Sequence, residues 1–325
     1  MTNIAQKDHV KKEFRYEEAF KHIKKEVNRV LYTSPIIIRE YTKYLGKTTG
    51  KFMRASSLLV CAQDDRDLIS ENAITLASAI EILHLATLVH DDVIDNADIR
   101  RGAVTLQKKY GNRSAVICGD YLLSVALKMV ASVSEKEEYL DRKMPDFVGR
   151  VCLGELNQHI NNGNYDLSVF QYLKIIAGKT ACMFEAAFYG GASLVEKDEK
   201  IIKKYARIGR YIGMIFQLTD DCMDFETTEN IAKKPVQSDY EKNVVTLPII
   251  HTFKIFKNCK VKAKAHQLSR TEINTMVKKA GGLLYTRNLA KKYYKKALDL
   301  LEKIETSEDK EERIKSIIDK AYRIF

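Results

Sequence analysis

Residues 80–102 read IEILHLATLVHDDVIDNADIRRG, an apolar helical run that ends in aspartates and arginines. On an α-helix, Asp91 and Asp95 lie one turn apart on the same face, and Asp92 lies about 100° around the axis from Asp91. Like charges at this spacing destabilise an isolated helix by roughly 0.2–0.5 kcal/mol per pair, and the preceding run is too apolar to be a solvated face. The stretch therefore predicts a cation site at the end of a buried helix.

The types of ligand in this stretch favour Mg²⁺. Carboxylate oxygens without His or Cys suit a hard cation, and Mg²⁺ keeps several waters and is usually completed by substrate phosphates. Arg100 and Arg101 follow closely and can hold such phosphates bidentately. One cluster of this kind also fits a salt-bridged helix end, so the first cluster alone leaves both interpretations open.

The same spacing recurs at the end of a second apolar helix, predicted over residues 200–225. Asp220, Asp221 and Asp224 repeat the positions 0, +1 and +4, and Gln217 shares the face of Asp221 and Asp224. Two identical clusters at the ends of apolar helices favour two halves of one site around a shared metal–diphosphate over surface decoration.

The composition predicts an all-α protein with a sizeable core. The chain has 325 residues, 45% of them hydrophobic, with only 4 prolines and 15 glycines to interrupt regular elements. A period of 3.6 residues recurs from Phe14 to Ile324, without sustained period-2 alternation. We expect a single domain over residues 1–325.

The helices predicted from this periodicity have recognisable ends. Ser34 and Pro35 are typical of an N-cap and a first helical residue, and Gly46 is typical of a C-cap. Gly209 and Gly213, one turn apart, predict close helix packing. The predicted helices cover residues 14–32, 35–45, a run from Asp67 to the first aspartates, 114–132, 145–162, 200–225, and a lysine-rich stretch from Pro248 with a break at Gly281-Gly282.

The net charge of +11, from 54 basic and 43 acidic residues, favours an acidic partner. The lysines are spread over many helix faces without interleaved aromatics or a known nucleic-acid motif, so we expect no nucleic-acid partner. An anionic membrane surface or a diphosphate substrate is also consistent with the positive net charge.

The cysteines and the apolar runs indicate a cytoplasmic protein. None of the six cysteines has CxxC spacing, and we expect small core residues in a reducing cytosol. The N-terminal residues lack the apolar core of a signal peptide. The longest mainly apolar run, Ile74 to Val89, has 16 residues and contains Glu81 and His84, so we expect no membrane span.

Three further positions are candidates for anion contacts. Gly50 precedes Lys51 and Arg54, which the periodicity places on one face of the first turn of a helix, where free N–H groups also converge. His84 lies seven residues before Asp91 on nearly the same face, although a lone histidine is also a common core residue. Lys179, between small residues on a buried helix, is costly unless it meets an anion or snorkels to water.

Together these residues resemble the trans-prenyl diphosphate synthases, the polyprenyl synthetase family. The matching motifs occur in family order between residues 46 and 250: GKxxR, DDxxDxxxxRRG, GExxQ, KT, QxxDDxxD, KPxxxD and TLP. The resemblance is greatest to medium- and long-chain enzymes, including the catalytic subunit of heptaprenyl diphosphate synthase. It implies an orthogonal helical bundle around a deep central cavity, the isoprenoid synthase fold, in a homodimer or in a heterodimer with a small subunit.

The resemblance also implies the chemistry: Mg²⁺-dependent condensation of isopentenyl diphosphate with an allylic diphosphate, using three Mg²⁺ ions per active site. The implied metal residues are Asp91, Asp95 and Asp220 as direct ligands, with Asp92, Asp221 and Asp224 supporting the ions. The implied allylic site comprises Arg100, Lys179 and Lys234, with Thr180 and Gln217 near the reacting carbons. The implied isopentenyl diphosphate site comprises Gly50, Lys51, Arg54, His84 and Arg101.

The chain departs from the family pattern mainly in the loop that follows the second cluster. Lys233, Gln237 and Asn243 stand where glycines are usual, and Val244 stands where a lysine is common. Phe52 and Ala55 replace a common arginine and a common proline. The carboxylates and principal cations are retained, so we expect activity with altered loop closure, either alone or with a partner subunit.

Product length is predicted from the residues before Asp91. Thr87 and Ala86 stand where short-chain enzymes often have an aromatic floor, and small residues there leave a tunnel open. We expect a product of roughly C20 to C40, stopped by bulk deeper down, such as Leu83, Ile80 or the 145–162 helix.

Two alternatives remain at this stage. A terpene cyclase shares the fold and one aspartate motif, but its second motif mixes Asn, Ser and Glu, unlike the repeated pattern here. A non-catalytic subunit tends to lose aspartates, and all six are present. We also expect transient contact with a membrane surface during product release.

Overall fold

The computed structural model describes residues 12–47, 50–133, 146–226, 240, 243–265 and 267–323. In these residues the chain is a bundle of helices with two short antiparallel ladders. The first half contains β1 (Glu13–Phe14), α1 (Tyr16–Tyr32), α2 (Ile36–Leu45), α3 (Met53–Cys61), β2 (Ile69–Ser70), α4 (Glu71–Ile94), β3 (Ile99–Arg100), β4 (Ala103–Val104), α5 (Leu106–Tyr110) and α6 (Asn112–Ala131).

In the second half, all regular elements of the described residues are helices. It contains α7 (Phe147–Ile160), α8 (Val169–Ile176), a π-helix (Ala177–Ala181), α9 (Cys182–Ser193), α10 (Glu199–Glu226), α11 (Leu247–Ile255), α12 (Lys257–Lys264), α13 (Arg270–Lys279), α14 (Gly282–Leu301) and α15 (Glu308–Tyr322). β1 pairs with β2, and β3 pairs with β4.

The core is organised around α4 and α10, the two helices that carry the aspartate clusters. α4 packs along α6, and α10 packs between α9 and α14. α4 contributes Ala73, Ala77 and Ile82 to one buried cluster, while α10 contributes Ile208 and Ile212 to another. The two clusters are therefore mounted on the most heavily packed helices of the bundle.

Several predicted helix starts are wrong by a few residues, and three of them concern residues singled out in the sequence. α2 begins at Ile36 instead of Pro35, and the Ser34 hydroxyl donates to the Val30 carbonyl (2.6 Å) instead of capping α2. α4 begins after Ser70 instead of at Asp67, which has a φ of +57°. α3 begins at Met53, so Lys51 precedes the helix and does not share its first turn with Arg54.

Glycines allow the helices around the second cluster to approach closely. A Cβ on Gly213 would lie 2.4 Å from the Ala181 Cα, and one on Gly209 would lie 2.5 Å from the Phe184 carbonyl oxygen. The prediction of close packing at these two positions is confirmed. Gly154 on α7 meets Gly178 in the π-helix in the same way.

Substituting Gly154 with alanine should destabilise the fold. The new Cβ would lie 2.4 Å from the Lys179 backbone nitrogen, so α7 and the π-helix must separate, at a cost of about 1–3 kcal/mol. Gly190→Ala is the matched control, because its Cβ would meet only the Leu58 Cδ1 at 3.7 Å. Urea denaturation should give a lower midpoint for G154A, and equal midpoints for the two variants would contradict this reading.

Five of the six cysteines are buried, as predicted, and Cys152 is exposed on α7. The prediction of a core position is therefore wrong for Cys152. Burial raises the pKa of the Cys118 thiol to about 12 and that of Cys182 to about 11, so neither is a reactive thiolate at neutral pH.

By length and composition, α4 and α6 are apolar enough to cross a membrane. From the sequence we expected no membrane span, because the longest mainly apolar run has only 16 residues. The helix that contains this run, α4, extends over 24 residues. In the most apolar 18 residues of each helix, 50% of α4 and 33% of α6 is buried inside the protein. Because the core helices of a bundle meet the same criteria, this finding is weak evidence for a span.

Candidate functional site

The first aspartate cluster lies at the end of α4, where three carboxylates have three different environments. Asp92 is 6% exposed and accepts from the Arg100 Nε at 2.5 Å. Asp95 is exposed and ends the helix, donating its backbone N–H to the Asp91 carbonyl oxygen at 2.8 Å. Arg100 reaches Asp92 because the chain turns back directly after α4, where Asn96 has a φ of +48° and the Ala97 N–H donates to the Asp92 carbonyl oxygen at 2.9 Å.

Asp91 lies in surroundings that disfavour its charged form. Burial, and after it the nearby Glu155, raise the pKa of Asp91 to about 7, while Lys179 and Arg100 act in the opposite direction. A bound cation would stabilise the charged form of a carboxylate in these surroundings.

Lys179 lies in the π-helix between α8 and α9 and donates to the Glu155 Oε1 at 2.6 Å. Burial acts to lower the pKa of Lys179, but Glu155, Asp91 and Asp95 raise it overall, so the lysine is charged. Lys179 therefore meets carboxylates instead of snorkelling to water. Because π-turns widen a helix locally, they often occur at functional sites.

The next residue of the same π-turn contacts the second cluster. The Thr180 hydroxyl donates to the Gln217 Oε1 at 2.8 Å, and the Gln217 Nε2 donates to the Asp221 Oδ1 at 2.8 Å. Adjacent residues thus connect the surroundings of Asp91 to Asp221. The π-helix is the element that joins the two halves of the predicted site.

The carboxylates of the second cluster all have partners from elsewhere in the chain. Asp221 is 2% exposed and accepts from the Tyr172 hydroxyl as well as from Gln217. The Arg323 Nη2 donates to the Asp220 Oδ1 at 3.1 Å, and the Arg270 Nη2 donates to the Asp224 Oδ2 at 2.8 Å. Sequence reasoning missed Tyr172, Arg270 and Arg323, because no local pattern connects them to residues 220–224.

A third group of predicted residues lines a pocket of about 40 Å³ beside α4. Gly50, His84 and Arg101 line this pocket, and a Cβ on Gly50 would lie 3.2 Å from the Arg101 Nη1. Arg54 packs over the Phe184 ring at 4.8 Å, and burial lowers its pKa to about 10. Lys51 is exposed and does not line the pocket.

Glu81 also lines this pocket, and sequence reasoning treated it only as an interruption of an apolar run. Its Oε1 accepts from the Ala55 N–H at 3.0 Å. Burial raises the pKa of Glu81, while the Ala55 N–H, Arg54 and Arg101 act in the opposite direction. A signal was available: a carboxylate three residues before His84 on a buried helix requires a cation.

His84 is held neutral in this environment. Burial lowers its pKa well below the usual 6.5, and Arg54, Arg101 and Arg100 lower it further. Its Thr87 neighbour donates its hydroxyl to the His84 carbonyl oxygen at 2.8 Å. A neutral imidazole can donate a hydrogen bond to an anion without adding another charge to the three arginines.

Acidification should therefore destabilise the protein through His84. Between pH 7 and pH 5.5 the unfolded chain binds a proton at this histidine and the folded chain does not, so stability falls as the pH falls. The expected loss is about 1 kcal/mol, and it should be absent in His84→Gln. Urea unfolding of both proteins at the two pH values measures it, and equal pH dependence would contradict it.

The residues of the two clusters fit a divalent cation. Their donors are carboxylate oxygens, and the raised pKa of the buried Asp91 marks a deficit of positive charge that such an ion supplies. Within the described ranges, no group of three or more His, Cys, Asp or Glu side chains is already gathered as a metal site.

Lys234, predicted to bind the allylic diphosphate, lies outside the described residues, as do Lys233 and Gln237. Asn243, one of the replaced glycines, has a φ of +58°, a conformation that asparagine tolerates better than most residues. Its carbonyl oxygen accepts from the Gly163 N–H at 2.7 Å.

The predicted product-length residues differ in burial. Ala86 is 2% exposed and belongs to the packed core around α4, whereas Leu83 and Thr87 are half-buried.

Comparison with known proteins gives one consistent result. The Polyprenyl synthetase family model matches residues 35–283. The chain is 32% identical over 294 residues to heptaprenyl diphosphate synthase component 2 of Geobacillus stearothermophilus, covering 88% of this chain and 90% of that protein. It is 30% identical to octaprenyl diphosphate synthase of Haemophilus influenzae, covering 82% and 83%.

Solved structures agree with these sequence matches. The crystal structure of heptaprenyl diphosphate synthase from Staphylococcus aureus superposes with a TM-score of 0.86 at 29% identity, covering 95% of this chain and 98% of the other. The predicted all-α bundle of the isoprenoid synthase type is thereby confirmed.

Proposed function

The chain belongs to the polyprenyl synthetase family, and we propose that it condenses isopentenyl diphosphate with an allylic diphosphate to give a linear polyprenyl diphosphate. The activity is that of a long-chain prenyltransferase, as in the heptaprenyl and octaprenyl relatives. The finer proposals are Mg²⁺ dependence, three ions per site and a product longer than C15, roughly C20 to C40.

The observation that carries this proposal is the π-turn at Lys179 and Thr180. Lys179 lies among Glu155, Asp91 and Asp95, while Thr180 is hydrogen-bonded through Gln217 to Asp221. One turn thus provides a cation for a diphosphate and a fixed pair of polar side chains between the two aspartate clusters. A salt-bridged surface would not need this arrangement.

The proposed roles of the residues follow from charge. When bound at Asp91, Asp95 and Asp220, with support from the other three aspartates, divalent ions neutralise the departing diphosphate. Arg100, Lys179 and Lys234 hold that diphosphate and stabilise its growing charge. Thr180 and Gln217 are held by each other, so their oxygen dipoles need not reorganise as positive charge develops on the allylic carbons.

The second substrate is proposed to bind beside α4. Arg54, Arg101, Lys51 and neutral His84 bind the isopentenyl diphosphate near Gly50, whose missing side chain leaves room beside Arg101. Exclusion of water then protects the allylic cation until the alkene attacks it. The proton lost from the condensed product passes to the released diphosphate.

The assembly is also a proposal. We propose a single domain that forms a homodimer in the cytoplasm and touches a membrane surface transiently to release product. A heterodimer is the second candidate, because two relatives are named component 2 of heptaprenyl diphosphate synthase. Activity per chain that rises on adding a candidate small subunit would favour the heterodimer.

Incorporation of labelled isopentenyl diphosphate tests the proposal directly. The purified chain is incubated with Mg²⁺ and geranyl, farnesyl or geranylgeranyl diphosphate, and products are sized by mass spectrometry. We expect linear products that require both substrates and Mg²⁺. A folded chain that incorporates no label with any primer, alone or with a partner subunit, would overturn it, and cyclic products would indicate a terpene cyclase.

A further inference from the structure

Two arginines from the last part of the described chain neutralise the second aspartate cluster. Arg323, which ends α15, donates to Asp220 at 3.1 Å, and Arg270, the first residue of α13, donates to Asp224 at 2.8 Å. Neither arginine belongs to a motif found in the sequence. Both aspartates lie on α10, one turn apart.

The two ion pairs are built differently. Arg270 is 10% exposed, donates to both the Asp224 carboxylate and the Asp224 carbonyl oxygen, and lies over the Phe225 ring at 4.8 Å. Arg270 is fixed in place because it lies on α13 and makes two hydrogen bonds to Asp224. Arg270 therefore acts as a positioning residue for Asp224.

Arg323 makes fewer hydrogen bonds to Asp220 than Arg270 makes to Asp224. It has a φ of +50° beyond the last turn of α15, it makes one hydrogen bond to Asp220, and Asp220 is 34% exposed. Its Nη1 also contacts the Met223 Sδ, and its guanidinium lies 5.1 Å from the centre of the Phe216 ring, so two contacts on α10 remain available to the cation when it leaves Asp220. The contact can break without disturbing a helix.

We propose that Arg323 is a built-in counter-ion of Asp220, and that it must leave this carboxylate before a divalent cation binds there. This inference rests on the proposed function, because it takes Asp220 as a metal ligand. Arg323 and a metal ion would compete for the same Asp220 carboxylate and would repel each other at short distance. A bound diphosphate removes the conflict, because it offers an anionic partner both to the metal and to the displaced arginine.

The consequence is an order of metal uptake. The first cluster, where Asp95 is exposed at the end of α4, takes up a cation from solution, whereas the second cluster takes one up readily only together with a diphosphate. Arg323 therefore prevents a metal-loaded but substrate-free second cluster. The diphosphate itself completes the site.

Direct measurement of Mn²⁺ binding tests this order. Free Mn²⁺ is counted by electron paramagnetic resonance in solutions of the full chain, with and without inorganic pyrophosphate, against protein-free blanks. Arg323→Gln should bind one Mn²⁺ about tenfold more tightly than the unmodified chain when pyrophosphate is absent. With pyrophosphate the difference should shrink.

The controls separate charge, folding and the proposed function. Arg287→Gln removes an equal charge from a pair with Glu226 on the exposed side of α10 and should change nothing. Arg323→Gly keeps the left-handed conformation without the cation and should match Arg323→Gln. Asp220→Asn should abolish the affected site.

Three outcomes would overturn part of this account. Equal Mn²⁺ affinity in the Arg323 and Arg287 variants would overturn the role of Arg323 and leave the proposed function intact. Tighter binding in Arg323→Gln that survives in the double variant with Asp220→Asn would also overturn that role. Absence of Mn²⁺ binding by the unmodified chain, even with pyrophosphate, would overturn the metal-dependent function itself.

Discussion

Asp91→Asn should reduce kcat for isopentenyl diphosphate incorporation by about 10³-fold. Asparagine keeps the shape of the Asp91 side chain and removes its charge. The cation that holds the departing diphosphate therefore loses an anionic ligand. Burial and Glu155 already raise the pKa of Asp91 to about 7, and only a cation offsets this environment. Incorporation of labelled substrate at saturating concentrations measures the effect.

Asp98→Asn is the matched control for this variant. Asp98 is an exposed carboxylate seven residues further along, paired with Lys108 at 3.2 Å, and its loss should leave kcat within about twofold. Circular dichroism and urea midpoints establish that both variants fold. An Asp91→Asn enzyme with kcat within tenfold of the unmodified chain would show that Asp91 is not a metal ligand in the reaction.

Thr87→Tyr should shorten the product to about C15, from the expected range of roughly C20 to C40. Thr87 is half-buried and its hydroxyl bonds back to the His84 carbonyl oxygen, so an aromatic ring at this position extends beside α4 where the growing chain would pass. Ala86→Phe should act in the same direction, but it also overpacks the core at a cost of about 1–3 kcal/mol.

Leu76→Phe controls for adding an aromatic ring to α4. Leu76 packs against the same core nearly three turns before Thr87, and its substitution should leave the product range unchanged. Mass spectrometry of products from farnesyl diphosphate distinguishes the variants. An unchanged distribution in Thr87→Tyr would place the growing chain elsewhere.

Local spacing was enough to find the two aspartate clusters and the residues on their faces. The 0, +1, +4 positions of Asp91 and Asp220 depend only on helix geometry, as does the position of Gln217 relative to Asp221. The same is true of Gly209 and Gly213, whose packing role is confirmed. Helix starts were less accurate, because short turns such as the one before Ser70 are set by individual hydrogen bonds.

Spacing along the chain did not predict which residues contact the aspartates of these clusters. Arg270 reaches Asp224 across 46 residues of chain, and Arg323 reaches Asp220 across 103. Tyr172 meets Asp221 only because α8 lies near α10. Glu81 was visible in the sequence, but its partners on α3 and in the β3–β4 turn were not.

The sequence by itself determined the helical class and the two aspartate clusters, since both follow from periodicity and charge within one or two turns. The set of cations expected to hold diphosphates followed from the resemblance to the family. The tertiary structure decided which basic side chain pairs with which carboxylate. It pairs Arg100 with Asp92, Lys179 with Glu155 and Arg323 with Asp220, and leaves Asp91 with its pKa raised. The physical reason is that Coulomb energies depend on distance and burial in space, and neither is encoded in separation along the chain.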